Sequence, residues 1–326
     1  MPSFTREMFT RICEPGPRLD WLAGWLTGCV WSQERFAQMP PAAYLEQGER
    51  IVNEVEEVIA AAAPRVYDEL TVVPPDRDLA RFLDGSDRSV VVVFDGLSLR
   101  ELPGLLRLAE QSGLKTVETG VNLAALPSET LDFIEQRLGC PRCAPSQLTG
   151  RRDLRERGVA AYYYGHPGER HALDDAARCL LLWSAFPDNT YSDSGARFVE
   201  HFAHIQSQLQ SAWNATVMSA PRGRRILVTS DHGYVFLGSG LSFARSPADL
   251  RQLSAYLGGE RHARISERGE PPTDADLMVY KDRDVAVLKG RVQPHPPGPA
   301  AGKLYKHGGL SLMEMLTPWL LLEART

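Results

Sequence analysis

The arrangement of apolar and polar positions along this chain changes character once, close to residue 88. Before that point apolar residues recur at helical spacing. "RLDWLAGWLTGCVW" and "AYLEQGERIVNEVEEVIAAAA" place them three and four apart, which predicts amphipathic helices. "VVPPD" at 72–76 breaks the pattern. No strand signal occurs in residues 1–80, so 1–85 reads as an N-terminal helical region. Trp21, Trp25 and Trp31, spaced as they are, read as core or domain seam rather than as a binding face.

From Ser89 the texture is different. "SVVVVFDG" is an unbroken β-branched run, the mark of a strand covered on both faces. A helical "LRELPGLLRLAEQSG" follows, then a strand-like "KTVETGV", then the turn and helix "LPSETLDFIEQRLG". "GVAAYYYG", "RCLLLWSAF" and "RRILVTS" are further short apolar runs, the last two separated by the amphipathic "GARFVEHFAHIQSQLQSAWNATVM". Strands alternating with helices predict a three-layer α/β/α sandwich with a mostly parallel sheet over residues 86–326. "QPHPPGPAAGK" reads as a loop, and "SLMEMLTPWLLLEA" as a last helix packed on the core.

Composition narrows the class without choosing a function. Hydrophobic content of 43% and charged content of 24% are ordinary for a globular protein. A net charge of −5 provides no global attraction to nucleic acid or an acidic membrane. The five cysteines are odd in number and scattered, and Cys140-Pro-Arg-Cys143 has no second pair, so neither a disulfide framework nor a zinc knuckle is expected. No secretion signal or membrane span is legible. A cytoplasmic location is expected.

Chemistry gathers where the strands end, which is where open α/β sheets bind ligands. The first run ends in Asp95-Gly96, "CLLLWSAF" in Pro187-Asp188 with Asp193 five residues on, and "RRILVTS" in Asp231-His232. Any one such acid is commonly a helix cap. Several on one edge, with an imidazole, form the donor set that suits Zn²⁺ or Mn²⁺, because like charges repel unless a cation lies between them. Near the C-terminus "YKHGGLSLMEMLTP" adds His307, with Ser311 and Glu314 spaced as a capping box. His201 and His204 read as ordinary helix residues, and His166, in "HPGERH", as a secondary candidate.

The stretches "VVVVFDGLSLRELP", "LPSETLDFIEQRL", "ILVTSDHGYVF" and "KHGGLSLMEMLTPWLL", in that order, resemble the PglZ domain of the alkaline phosphatase superfamily. The resemblance covers residues 86–326 and implies a two-metal centre, zinc as a rule with manganese as the alternative. By that resemblance Asp95, Asp231 and His232 hold one ion, Asp188 and His307 the other, and Thr130 is both nucleophile and ligand. The family places a His or Asp four residues after the Asp of the second site. Here position 192 is Ser and the acid is Asp193.

Physical chemistry is compatible with those roles. A threonine hydroxyl is a poor nucleophile until coordination lowers its pKa, and paired cations clamp the attacking and leaving oxygens of a phosphoryl displacement. Ser128 is the second candidate nucleophile, or else the cap of the following helix, and Ser98 is a more distant third. Basic clusters at 150–157, 221–225 and 289–306 read first as solvated faces; the alternative is that they lie in loops beside the site and guide a polynucleotide backbone. The PglZ resemblance implies a metal-dependent phosphodiesterase or nuclease acting on nucleotides or nucleic acid, in bacterial phage defence with protein partners. The alternatives are a phosphomonoesterase on a small metabolite and a degenerate scaffold subunit.

Overall fold

The computed structural model describes residues 5–14, 17–193, 198–238, 240–295 and 305–324. Eleven strands are present among them: β1 (Ser89–Asp95), β2 (Leu114–Leu123), β3 (Val159–Tyr164), β4 (Cys179–Pro187), β5 (Arg225–Ser230), β6 (Val235–Phe236), β7 (His262–Arg264), β8 (Leu277–Tyr280), β9 (Val285–Leu288), β10 (Tyr305–Lys306) and β11 (Leu316–Ala324). Six form the main sheet, in the order β2-β11-β5-β1-β4-β3. β5, β1, β4 and β3 pair in parallel, and β11 runs antiparallel to both of its neighbours.

Alternate residues of β1 enter different cores. Val90, Val92 and Phe94 pack with the helices Pro41–Ala62, Leu102–Gln111 and Phe198–Ala215. Val91 and Val93 pack on the other face with the helices Ala80–Leu83, Thr130–Leu138 and Arg152–Glu156. Burial on both faces is why β1 reads as a continuous apolar run. The result is the expected three-layer α/β/α arrangement around a mostly parallel sheet.

The described residues before Ser89 contain helices and no strand. The helix Pro41–Ala62 buries Leu45, Val52, Val55 and Ile59 at helical spacing in the same core as the sheet, and Trp31 lies in that core as well. On the same buried face it carries two carboxylates two turns apart. Glu49 pairs with Arg100 at 2.5 Å and Arg291 at 2.6 Å, and Glu56 accepts from the Leu312 N–H at 2.7 Å.

One sequence expectation fails at the C-terminal side. The last apolar segment is not one helix: only Leu312–Met315 is helical, and Leu316–Ala324 is β11. A strand buried on both faces shows no period-2 alternation, so "LTPWLLLEA" cannot be told from a buried helix by pattern. Pro318 precedes the stretch Trp319–Leu322 that pairs with β5, so it falls where β11 has one partner and its missing N–H costs least. Unexpected as well is the three-stranded sheet β7-β9-β8, which makes a separate small core with the helix Pro247–Leu257.

Candidate functional site

β1, β4 and β5 are parallel neighbours, so their carboxyl ends lie on one edge of the sheet. Asp95 closes β1, Asp188 follows β4 directly, and Asp231 and His232 follow β5. A register shift between Phe94 and Asp95 re-aims the last residue of β1. Thr130 opens the helix Thr130–Leu138. His307 arrives by another route: the β6–β10 ribbon pairs Val235 with Lys306, which lays the chain at 307 beside the chain leaving His232. The two imidazoles stack, with centroids 4.1 Å apart.

Thr130 sits at the focus. Its Oγ1 donates to Asp231 Oδ2 at 2.6 Å and lies 3.4 Å from both Asp95 Oδ1 and His232 Nε2. His232 Nε2 is 3.6 Å from Asp95 Oδ1 and from Asp231 Oδ2, and His307 Nε2 is 3.8 Å from Asp188 Oδ1. Two groups have donor atoms close enough to hold a cation: Asp95, Asp231 and His232, and Asp188, His232 and His307. His232 belongs to both.

The surroundings aim these donors. Gly96 and His232 give their backbone N–H groups to Asp231 Oδ1, each at 3.0 Å, and Trp183 Nε1 donates to Asp95 Oδ2 at 3.2 Å. His232 Nδ1 lies 2.9 Å from the Gly233 carbonyl. That contact puts the ring proton on Nδ1 and leaves Nε2 as a lone pair facing the carboxylates. Gly233 has no room for a side chain, since a methyl there would collide with the Met313 carbonyl.

Electrostatics give the cluster a reason to take a cation. Burial, then the charges of Asp231 and Asp188, push the Asp95 carboxyl well above the usual carboxylate range. Burial disfavours a charged His307, but Glu129, Asp188 and Asp95 outweigh it and raise its pKa well above the ordinary value. A divalent ion would relieve the crowding among the acids and replace the proton on the imidazole. Oxygen and imidazole donors without thiolate fit Zn²⁺ or Mn²⁺. The residues present therefore fit the group.

Other sequence candidates fall elsewhere. Ser128 does not cap its helix. Its buried hydroxyl donates to the Gly309 carbonyl at 2.9 Å and accepts from the Gly308 N–H at 2.9 Å, tying two loops together. Ser98 Oγ is buried against Glu101 and Arg100. Ser311 accepts from the Glu314 N–H at 3.2 Å, as a cap should, but the Glu314 carboxylate turns to Arg261 and Gly309 instead of closing the box. His166 lies in the loop after β3, and among the described residues no hydrogen bond or ion pair joins its side chain to the cluster. Asp193 ends the short turn Asp188–Asp193, with its side chain outside the described residues, as is that of Ser192. No cysteine joins either candidate metal group among the described residues.

The basic segments are a correction. Residues 150–157 precede β3 and residues 221–225 lead into β5, so both lie at the amino ends of strands, one strand length, roughly 17 Å, from the site. Several of their charges are also engaged: Arg152 pairs with Glu156 at 2.7 Å, Arg151 with Asp153 at 2.6 Å, and Arg224 donates to the Ala177 carbonyl at 2.7 Å. In the third segment Arg291 is buried on Glu49, and residues 296–304 lie outside the described ones. Arg142 and Arg264, which both pair with Asp132 two residues beyond Thr130, were not singled out from sequence. Trp183 and Glu129 were also missed. The first reads as core, and the second as a helix-dipole acid.

No protein-family model matches the chain, and no curated protein matches it. Among solved structures it is similar to an inactive variant of murine ectonucleotide pyrophosphatase/phosphodiesterase 5 in complex with AMP. The two are 15% identical, over 72% of this chain and 87% of that one, with a TM-score of 0.38. Phosphonoacetate hydrolase from Sinorhizobium meliloti 1021, in complex with phosphonoacetate, is similar at 11% identity over 72% and 90% of the two chains, with a TM-score of 0.36. Likeness this distant assigns no chemistry. The site stands on its own geometry. No helix among the described residues is long and apolar enough to cross a membrane.

Proposed function

We propose that this chain is a metal-dependent phosphoric ester hydrolase of the alkaline phosphatase type, with Thr130 as nucleophile. One observation carries the reading: a hydroxyl at a helix N-terminus, 2.6 Å from one carboxylate and within 3.4 Å of a second and of an imidazole. Asp95, Asp231 and His232 would hold one cation, and Asp188 and His307 a second. Zinc is favoured and manganese is the alternative. The ions would lower the pKa of the hydroxyl and neutralise charge developing on the phosphoryl oxygens.

The chain's own groups supply the rest. The Thr130 proton already points at Asp231 Oδ2, which orients a lone pair of Oγ1 away from that carboxylate. The first-turn N–H groups of Thr130–Leu138, which receive no bond from the side chain at the cap position, would favour an anionic phosphoryl group at that helix end. Attack forms the Oγ1–P bond and breaks the ester P–O bond, and the alcohol departs with the proton that the Thr130 hydroxyl gives up. Water then forms a new P–O bond as the Oγ1–P bond breaks; the phosphoryl group leaves as phosphate or, from a diester, as a phosphate monoester, and Thr130 regains a proton from the water.

A nucleotide-type phosphodiester is the substrate class we favour, and a role in phage defence with protein partners belongs to the same reading. Both rest on the PglZ-like order of motifs. A polynucleotide is disfavoured, because two of the three basic segments lie at the opposite edge of the sheet. The test is hydrolysis of a chromogenic diester and a monoester by zinc- or manganese-loaded protein, beside Asp231→Ala. Diester turnover lost in the variant supports the reading. Preferential monoester turnover makes the protein a phosphomonoesterase, and no metal with no turnover makes it a scaffold.

A further inference from the structure

Glu129 immediately precedes Thr130 and occupies the N-cap position of its helix, yet its side chain makes no capping bond. The carboxylate turns instead toward two imidazoles. Its Oε1 lies 3.2 Å from His307 Nδ1 and 3.6 Å from His262 Nδ1. His307 Nδ1 is also 3.2 Å from the Ser128 carbonyl, so one turn, residues 128–129, offers that nitrogen both a neutral and a charged acceptor. The opposite nitrogen, Nε2, faces Asp188. Space is kept for the carboxylate: Gly308 has φ +92°, and a methyl there would strike Glu129 Oε1 and come within 2.7 Å of His262 Nδ1.

We propose that Glu129 is a positioning residue for His307, holding its ring with Nε2 presented to the second cation and adding negative charge from outside the ligand set. The inference rests on the metal-site reading above. An imidazole ligand backed by a carboxylate is both fixed in tautomer and made more basic, and loss of such a backing group weakens metal binding about 10–100-fold. The need is greatest at this site, where the described side chains supply one carboxylate, Asp188, against two in the Asp95 group.

The test is titration of the full-length metal-free protein with Co²⁺ at neutral pH, followed by its visible absorption. Wild type, Glu129→Gln, Glu129→Asp and His307→Ala are compared, with the last identifying the His307 phase. Glu129→Gln keeps the shape and removes the charge. It is expected to weaken the His307 phase about 10–100-fold and leave the other phase unchanged, while Glu129→Asp recovers part of the loss. Wild-type affinity in both phases for Glu129→Gln would overturn the inference, as would equal weakening of both, which would mean general charge rather than positioning. If wild type binds no Co²⁺, the metal reading fails first and carries this inference with it.

Discussion

Replacing Glu56 with glutamine should stabilise the protein above neutral pH and leave it nearly unchanged near pH 4.5. Glu56 is fully buried on the helix Pro41–Ala62, and its Oε1 accepts from the Leu312 N–H while its Oε2 has no hydrogen-bond partner among the described residues. Burial raises its pKa from 4.5 to about 7, with Glu314 adding to the shift and Arg291 and the Leu312 N–H opposing it. The native state therefore binds more protons than the unfolded state between those two values. Stability falls as pH rises through that window, and the whole cost is present above it. At about 1.4 kcal/mol per tenfold change in proton affinity, the cost is on the order of 3 kcal/mol. A glutamine keeps the acceptor for Leu312 and carries no charge. Urea unfolding of both proteins at pH 5, 6, 7 and 8 measures the difference. The gap between them should open across the window to about 3 kcal/mol in favour of Glu56→Gln. Parallel curves would show that Glu56 is not charged at a buried site, and would refute the reasoning.

Thr130→Ala should lower ester hydrolysis by at least about 10³-fold with Co²⁺ binding largely retained, whereas Thr130→Ser should keep measurable turnover. An active Thr130→Ala would rule out the phosphothreonine. Ser128→Ala removes the donor to the Gly309 carbonyl and should cost about 1–2 kcal/mol in denaturant unfolding, with turnover reduced because the His307 loop loosens; unchanged stability would show that the bridge is not made. Gly233→Ala forces a methyl against the Met313 carbonyl, and should cost about 1–3 kcal/mol and weaken metal binding, both read in one thermal melt with and without Zn²⁺. Arg152→Ala, at the far edge, should leave turnover and its salt dependence unchanged. A steeper or shallower salt dependence would return the basic segments to the substrate path.

The main sheet was readable because parallel strands covered on both faces carry unbroken apolar runs, as Val90–Phe94, Cys179–Trp183 and Ile226–Val228 do. The candidate site was readable for a related reason: a buried strand has few uses for Asp95 or for Asp231-His232 unless its end is where chemistry occurs. The same physics hid β11, since a continuous apolar run in "PWLLL" fits a helix as well as a strand. Residues that work by aiming others were hidden too. Trp183 looks like core until its Nε1 is seen on Asp95, and Glu129 looks like a dipole acid until its side chain is seen to leave the helix. The basic segments misled because charge is visible in sequence while the edge of the sheet it occupies is not.

The most direct test of the central claim is an anomalous-diffraction map from crystals of the protein grown with Zn²⁺. The account predicts two ions, one bound by Asp95, Asp231 and His232 and the other by Asp188 and His307, with Thr130 Oγ1 turned toward the first. A single ion elsewhere, or none bound by Asp95 and Asp231, would contradict it.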